Sequence, residues 1–254
     1  MVEVGIPVWH SRDTLCKCLD SLVAQTLDRF ITCLSIDRDG EDYSDIIERY
    51  MARGLKIRII NGKENGGPGA ARQRILDTTQ CDFLIFVDSD DILMPRAIEV
   101  LHRAIIAGNY DIVRSSIIRE QNSGNDIIMR ASDNTITWFH GKIYRTKYLK
   151  AINISFLPGL RTDEDAYFNA IAWNCTSCRG ILDEITYIWR DNKNSITRSI
   201  DSVEYFKKRH MDYIRGQVEA LKAIFEKADN VSNLFVTNTL INIYYYYMKA
   251  RFYK

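Results

Sequence analysis

Apolar residues along this chain follow two rhythms, and the switches between them predict the elements. Phe83, Leu84, Ile85, Phe86 and Val87 run together without a helical stripe. That length and composition suit a strand buried on both faces. Residues 2–8, 31–36 and 56–60 read as three earlier strands, the first broken at Pro7. Between the first two, Leu15, Leu19, Leu22 and Val23 recur at i, i+4, i+7 and i+8. They predict a helix over 13–25 with Ser11 or Asp13 as its cap. Helices over 43–53, 70–78 and 96–107 and a strand over 110–114 continue the alternation. Strand and helix therefore alternate through residue 114, the signature of a parallel sheet.

Beyond residue 114 the rhythm changes. Residues 117–136 are polar and Asn-rich, with alternating stretches that suggest an antiparallel hairpin or flap. Residues 142–148 read as a strand running into a short helix, and Thr162 or Asp163 opens another helix. Residues 184–189 form a strand pattern, and 202–227 and 231–252 are helical in pattern. No internal repeat or low-complexity linker divides the chain, so one domain with a helical C-terminal appendage is expected.

Composition narrows the classes of function. With 254 residues the chain can bury a real core. Its 34 basic residues nearly match its 33 acidic ones, which argues against a strongly basic nucleic-acid surface. The cysteines at 16, 18, 33, 81, 175 and 178 are too scattered for a disulfide framework, and reduced thiols in a cytoplasmic compartment are expected. Cys175 and Cys178 make half of a zinc pattern whose second half is missing. The first ten residues lack the basic flank and long apolar run of a signal peptide. No stretch reaches the roughly 18 apolar residues that would span a membrane.

The candidate chemistry gathers at strand ends. The 83–87 run stops at Asp88, Ser89, Asp90 and Asp91, where open α/β sheets bind ligands. Crowded carboxylates repel, so a cation must offset them or one must hold a proton. Hard oxygen donors suit Mg2+ or Mn2+, which often completes its shell with substrate phosphates. The alternative is that Asp90 or Asp91 caps a helix beginning near Pro95. Pro7, Val8, Trp9 and His10 end the first strand, and Asp37 and Asp39 end the second. These loops can clasp a base and ribose, with Trp9 offering a stacking face and a carboxylate accepting the N3–H of a uracil. Residues 61–69 are Gly-rich without Walker spacing. Arg72 and Arg74 follow as phosphate or base partners, unless they form a solvated helix face.

At this point the residues resemble a family. Ile6-Pro7-Val8-Trp9-His10, then Leu19-Asp20-Ser21-Leu22 and Gln25-Thr26, are similar to the start of inverting family-2 glycosyltransferases of the GT-A fold. Asn65-Gly66 through Gly69-Ala70-Ala71-Arg72 resembles their Asn-x-Gly…Ala-Arg-Asn segment. Asp88-Ser89-Asp90-Asp91 resembles their Asp-x-Asp metal motif. Phe139-x-Gly141-Lys142-x-Tyr144-Arg145, Glu164-Asp165-Ala166-Tyr167-Phe168 and the 187–195 segment resemble three later motifs in the same order.

The resemblance implies a Rossmann-like, mostly parallel sheet flanked by helices, with a small antiparallel flap. Residues 1–200 would form the GT-A domain, 1–114 its nucleotide-sugar half and 115–200 its acceptor half, with 201–254 a helical appendage. Asp90 would be the principal metal ligand, with Asp88 on the ribose or the metal-bound diphosphate. Pro7, Val8, Trp9, Asp37, Asp39, Gly69, Arg72, Asp88 and Ser89 would bind the donor. Asp165 would be the catalytic base, with Glu164 beside it. Two departures stand out. The usual Asp-Asp-Gly-Ser reads Asp37-Arg38-Asp39-Gly40, which leaves open which Asp reads the base. The last motif carries no His of the kind that some members use as a further metal ligand.

The implied reaction is coherent in its own right. A hydroxyl needs a carboxylate to take its proton as it attacks an anomeric carbon. A divalent cation stabilises the charge growing on a nucleoside diphosphate. One base and one displacement invert the anomeric centre. The expected donor is UDP-linked. The acceptor hydroxyl is open among a glycan, a lipid-linked sugar, a protein and a modified DNA base. Residues 231–254, aromatic and basic, are expected to pack, self-associate or touch a membrane surface as a peripheral contact. Two other readings compete. One is a noncatalytic sugar-nucleotide-binding protein of the same fold, and the other a haloacid-dehalogenase-like phosphotransferase with Asp88 as nucleophile and Asp90 as acid/base.

Overall fold

A computed structural model describes residues 1–123, 126–132, 136–192, 202–228 and 230–252. The first half alternates as its pattern predicts. It runs β1 (Val2–Val8), α1 (Arg12–Val23), β2 (Phe30–Ile36), α2 (Ser44–Ala52), β3 (Ile57–Asn61), α3 (Gly67–Thr78) and β4 (Phe83–Phe86). Then come β5 (Ile92–Leu93), α4 (Ala97–Ala107), β6 (Ile112–Ser123), β7 (Asp126–Ser132), β8 (Lys142–Arg145) and α5 (Thr146–Ala151). The chain continues through α6 (Glu164–Asn174), β9 (Arg179–Trp189), α7 (Val203–Lys227) and α8 (Asn233–Phe252).

Among the described residues the strands form one sheet in the order β3-β2-β1-β4-β8-β6-β9-β5, with β7 paired to β6 outside that path. β1, β2, β3 and β4 are mutually parallel, whereas β8 runs antiparallel to both β4 and β6. The strand ends of the parallel half therefore open onto one edge. Backbone bonds from Asp37 to Val8, Gly62 to Ile36 and Val87 to Gly5 carry the ladder into the loops there.

Period-two alternation explains why the sheet has two cores. Val2, Val4, Ile6 and Val8 of β1, with Phe83, Ile85 and Val87, face α1, α2 and α4. Leu84 and Phe86 face the other way, toward α3, α6 and α7. On that second face of β1 the sequence offers Glu3 and Gly5. Glu3 meets Arg58 at 2.7 Å, and Gly5 lets α3 close in, because a Cβ there would stand 2.9 Å from Ile75.

Several elements differ from the sequence pattern for identifiable reasons. β6 runs on to Ser123 instead of stopping at 114, since its polar residues pair with β7 on one edge and β9 on the other. β9 starts at Arg179, five residues earlier than its apolar run, because it lies parallel beside β6. α3 starts at Gly67, where Pro68 occupies the first turn and needs no N–H partner. β5 is too short to show a period and exists through its pairing with Ile188 and Tyr187 of β9. Neither Ser11 nor Asp163 caps its helix with a side-chain hydrogen bond.

The last two helices join the body unequally. α7 buries Ala220 and Ile224 in the second core, and Gly216 brings it against Leu160 and Tyr167. α8 packs on α7 and buries only Thr239 and Ala250. No helix of the described residues is long and apolar enough to cross a membrane.

Candidate active site

The three loops expected at the sheet edge are tied to one another. His10 N–H donates to Asp39 at 2.8 Å, Ser11 N–H to the Tyr43 hydroxyl at 3.0 Å, and the Ser11 and Ser89 hydroxyls share a bond of 2.7 Å. The links hold the β1, β2 and β4 loops as one surface. His10 adopts a left-handed φ of 47°, and the neighbouring Trp9 is 38% exposed, so part of its indole faces solvent. Pro7 is half-buried, and Val8 lies in the core behind it.

Asp37 and Asp39 divide their work. Asp37 is buried and accepts from the Arg74 guanidinium and from Gly67 N–H at 3.1 Å. Arg74 also donates to Ser35 at 3.1 Å, which makes it part of the pocket wall and not a solvated helix face. Gly62 leaves this ion pair its room, because a Cβ there would lie 2.9 Å from the Asp37 carboxylate and 3.0 Å from the Arg74 guanidinium. Asp39 accepts from His10 N–H, Glu41 N–H and the Tyr43 hydroxyl. Burial alone would raise its pKa, but the backbone donors of His10 and Glu41 hold it below the usual value.

The aspartates after β4 sit on a short turn before β5, and neither Asp90 nor Asp91 caps α4, whose N-cap is Arg96. Asp91 is buried and takes the Tyr187 hydroxyl at 2.7 Å and Arg190 N–H at 2.8 Å. Tyr187 in turn receives Asp88 N–H at 3.2 Å. Asp90 accepts from the Asn192 amide at 2.8 Å. His140 Nε2 stands 3.7 Å from Asp88 and 3.6 Å from Asp91, and ligand atoms of these three lie within 4.8 Å of one another. Burial first, then neighbouring carboxylates, pushes Asp90 up and Asp91 well up. Such a set of oxygen donors, costly to ionise together, fits a hard divalent cation.

Arg72 joins this end of the site to the other. Its buried guanidinium pairs with Asp88 and, at 2.5 Å, with Glu164 at the start of α6. Against the burial that would raise it, Arg72 and then His140 hold Asp88 well below the usual carboxylate range. Glu164 is raised, chiefly by its own burial. Gly69 is buried at the same junction, where a Cβ would come within 3.3 Å of Glu164, so the glycine sets the approach of α3 to α6. Asp165, next along, is half-buried and raised well above the usual range by burial, then Glu164, then Asp163. Asn169 binds the Asp165 backbone carbonyl and that of Thr137, which holds residues 137–140 over this turn.

Every site residue expected from the sequence lies within this network or on its border. His140, Tyr187, Asn192 and Lys142 were not expected. Lys142 is fully buried and donates to the Trp138 carbonyl, and burial drives its pKa well down. Tyr187 and Asn192 fall inside the segment similar to the last family motif, and His140 occupies the variable place between Phe139 and Gly141. Each motif marked its neighbourhood, but only the fold shows these side chains meeting Asp88, Asp90 and Asp91. Residues 193–195 of that last motif lie outside the described residues.

Comparisons with known proteins give the same direction. The family model for glycosyl transferase family 2 matches residues 3–162. An uncharacterized glycosyltransferase, EpsJ, of Bacillus subtilis is 26% identical over 217 residues, covering 78% of this chain and 63% of that protein. A poly(ribitol-phosphate) beta-glucosyltransferase of Bacillus spizizenii is 28% identical over 190 residues, covering 68% of this chain and 29% of that protein. The chain thus spans less than two thirds of either relative. The crystal structure of Staphylococcus aureus TarS residues 1–349 in complex with UDP-GlcNAc superposes with a TM-score of 0.69 at 20% identity, covering 98% of this chain and 81% of that one.

Proposed function

The chain belongs to glycosyl transferase family 2, and on that premise we propose that it transfers a sugar, with inversion, from a UDP-linked donor to an acceptor hydroxyl. The observation that carries this reading is the buried Arg72, which ties Asp88 on the donor side to Glu164 beside Asp165. One guanidinium thereby sets the distance between the diphosphate end and the base end, the positioning that a direct displacement needs.

The residues take roles as follows. Trp9 and the carboxylates of Asp37 and Asp39 border the base and ribose, with Pro7, Val8, Ser89 and Gly69 shaping the backbone around them. Asp37 is already engaged by Arg74, so Arg74 and Asp37 act together on the base edge. Asp90 and Asp88, with Asp91 and His140 close by, would hold Mn2+ or Mg2+. When bound, the ion neutralises charge growing on the leaving diphosphate. Asp165 accepts the acceptor's proton, and Glu164, neutralised by Arg72, supports its position. The donor choice also draws on the UDP-GlcNAc held by the TarS structure. The family membership and the engagement of Asp88 by Arg72 speak against the phosphotransferase alternative.

Thermal melting against a panel of nucleotide sugars, with and without Mn2+, tests donor binding. A ligand at about 100 times its Kd stabilises by roughly 2.7 kcal/mol. A Mn2+-dependent rise with a UDP-sugar, absent in Asp90→Ala, is expected, and no rise with any nucleotide sugar sinks the reading. Asp165→Asn should keep that rise while turnover drops by about 10²–10⁴-fold. Unchanged turnover would remove Asp165 as the base.

A further inference from the structure

Helices α7 and α8 carry a surface that the donor and base groups do not use. α8 packs on α7 through Thr239, Ala250 and Tyr246, whose ring lies 4.3 Å from that of Tyr213. Its other side presents Leu234, Leu240, Ile241, Tyr244, Tyr245 and Phe252, each 50–69% exposed. A helix apolar on both sides is normally covered on both sides. α8 contains no Asp or Glu, and its last turn carries Lys249 and Arg251.

Where the start of α7 meets the end of α8 lies a groove of about 670 Å³. Lys207, Lys208 and Arg251 line it with Met211 and Tyr247, against one carboxylate, Glu204. Cations beside exposed tyrosines and aliphatic side chains are the chemistry of a headgroup layer above acyl chains. A second copy of this chain fits less well, because an α8–α8 pair would offer these cations no carboxylate from the facing helix, which contains no Asp or Glu.

We propose that α7 and α8 seat this protein on an anionic phospholipid surface, with the lysines and Arg251 on headgroup phosphates and the outer face of α8 in the interface. No helix of the described residues can cross the bilayer, so the contact is peripheral. Arg209, next to Lys208, pairs at 3.5 Å with Asp163, two residues before Asp165. The lipid face thus adjoins the base side of the site. Resting on the function proposed above, this would bring a lipid-carried acceptor hydroxyl to the enzyme in the plane of the membrane.

Vesicle flotation of the full chain tests the seat without measuring transfer. Phosphatidylcholine vesicles are compared with vesicles carrying about one quarter phosphatidylglycerol, and wild type should prefer the latter by about tenfold or more at low salt. K208E/R251E should remove that preference, and I241S/Y244S should reduce binding to both vesicle types. All four positions are exposed or border the groove, so both variants should melt like wild type and keep any donor-induced rise in Tm. Absence of vesicle binding, equal binding to both vesicles, or full binding by K208E/R251E overturns the proposal. A dimer that I241S/Y244S dissolves, without vesicle binding, assigns the face to a second copy and also overturns it. Loss of the donor-induced rise in wild type would strike the proposed function alone.

Discussion

Arg72 exchanges its hydration for two carboxylates, and that exchange organises the site at the scale of single residues. Its neighbours are shifted in opposite directions, Asp88 down and Glu164 up, because Asp88 also meets His140 while Glu164 is the more deeply buried. At Asp165 burial, then the neighbouring Glu164 and Asp163, outweigh the lowering by Arg72, so it rises further. A base must be deprotonated to act. With Asp165 as the proposed base, activity is expected above its raised pKa and lost as pH falls through it. The acidic limb of kcat/KM should lie above about 4, the ordinary carboxylate value. A limb at that ordinary value would show that Asp165 is not the titrating base.

Among elements, the close approaches decide where the side chains can meet. α3 lies on β1 because Gly5 leaves room for Ile75, and it meets α6 because Gly69 leaves room for Glu164. Arg72 leaves the same helix between these contacts, so a shift of α3 would move the guanidinium off one of its partners. Gly5→Val places carbon where Ile75 already stands. It should destabilise by about 1–3 kcal/mol, the usual cost of overpacking. Chemical denaturation measures it, and a stability equal to wild type would mean that α3 can retreat freely. The short β5 belongs to this scale too. It separates the aspartates from α4, and its pairing with β9 brings Tyr187 to Asp91.

For the molecule as a whole, the question is whether α7 folds with the sheet. Ile224 is fully buried in the core that holds Phe86 and Phe168. Ile224→Ala should therefore cost about 2–5 kcal/mol and lower the single main melting transition. An early separate transition, with the main one unmoved, would show that α7 unfolds independently. α8 packs chiefly on α7 and, among the described residues, buries little of itself, so its stability depends on what covers its outer face. The proposed lipid contact would then bear on stability as well as on location.

The sequence by itself determined the elements that rest on local periodicity. The unbroken 83–87 run, the Leu15–Leu19–Leu22 stripe and the strand–helix alternation are short-range features that hold wherever the segment lies. The aspartates after β4 were legible for the same reason, because they end a strand whose own composition places it at the centre of the sheet. Tertiary structure alone decided the long-range pairings. Arg72 and Glu164 are 92 residues apart, and Asp90 and Asn192 are 102 apart. Their meeting depends on how helices and strands stack, which no period of two or 3.6 encodes. β9 shows both sides: its apolar run announced a strand, but its parallel place beside β6, and hence the delivery of Tyr187 to Asp91, came from the packing of the whole sheet.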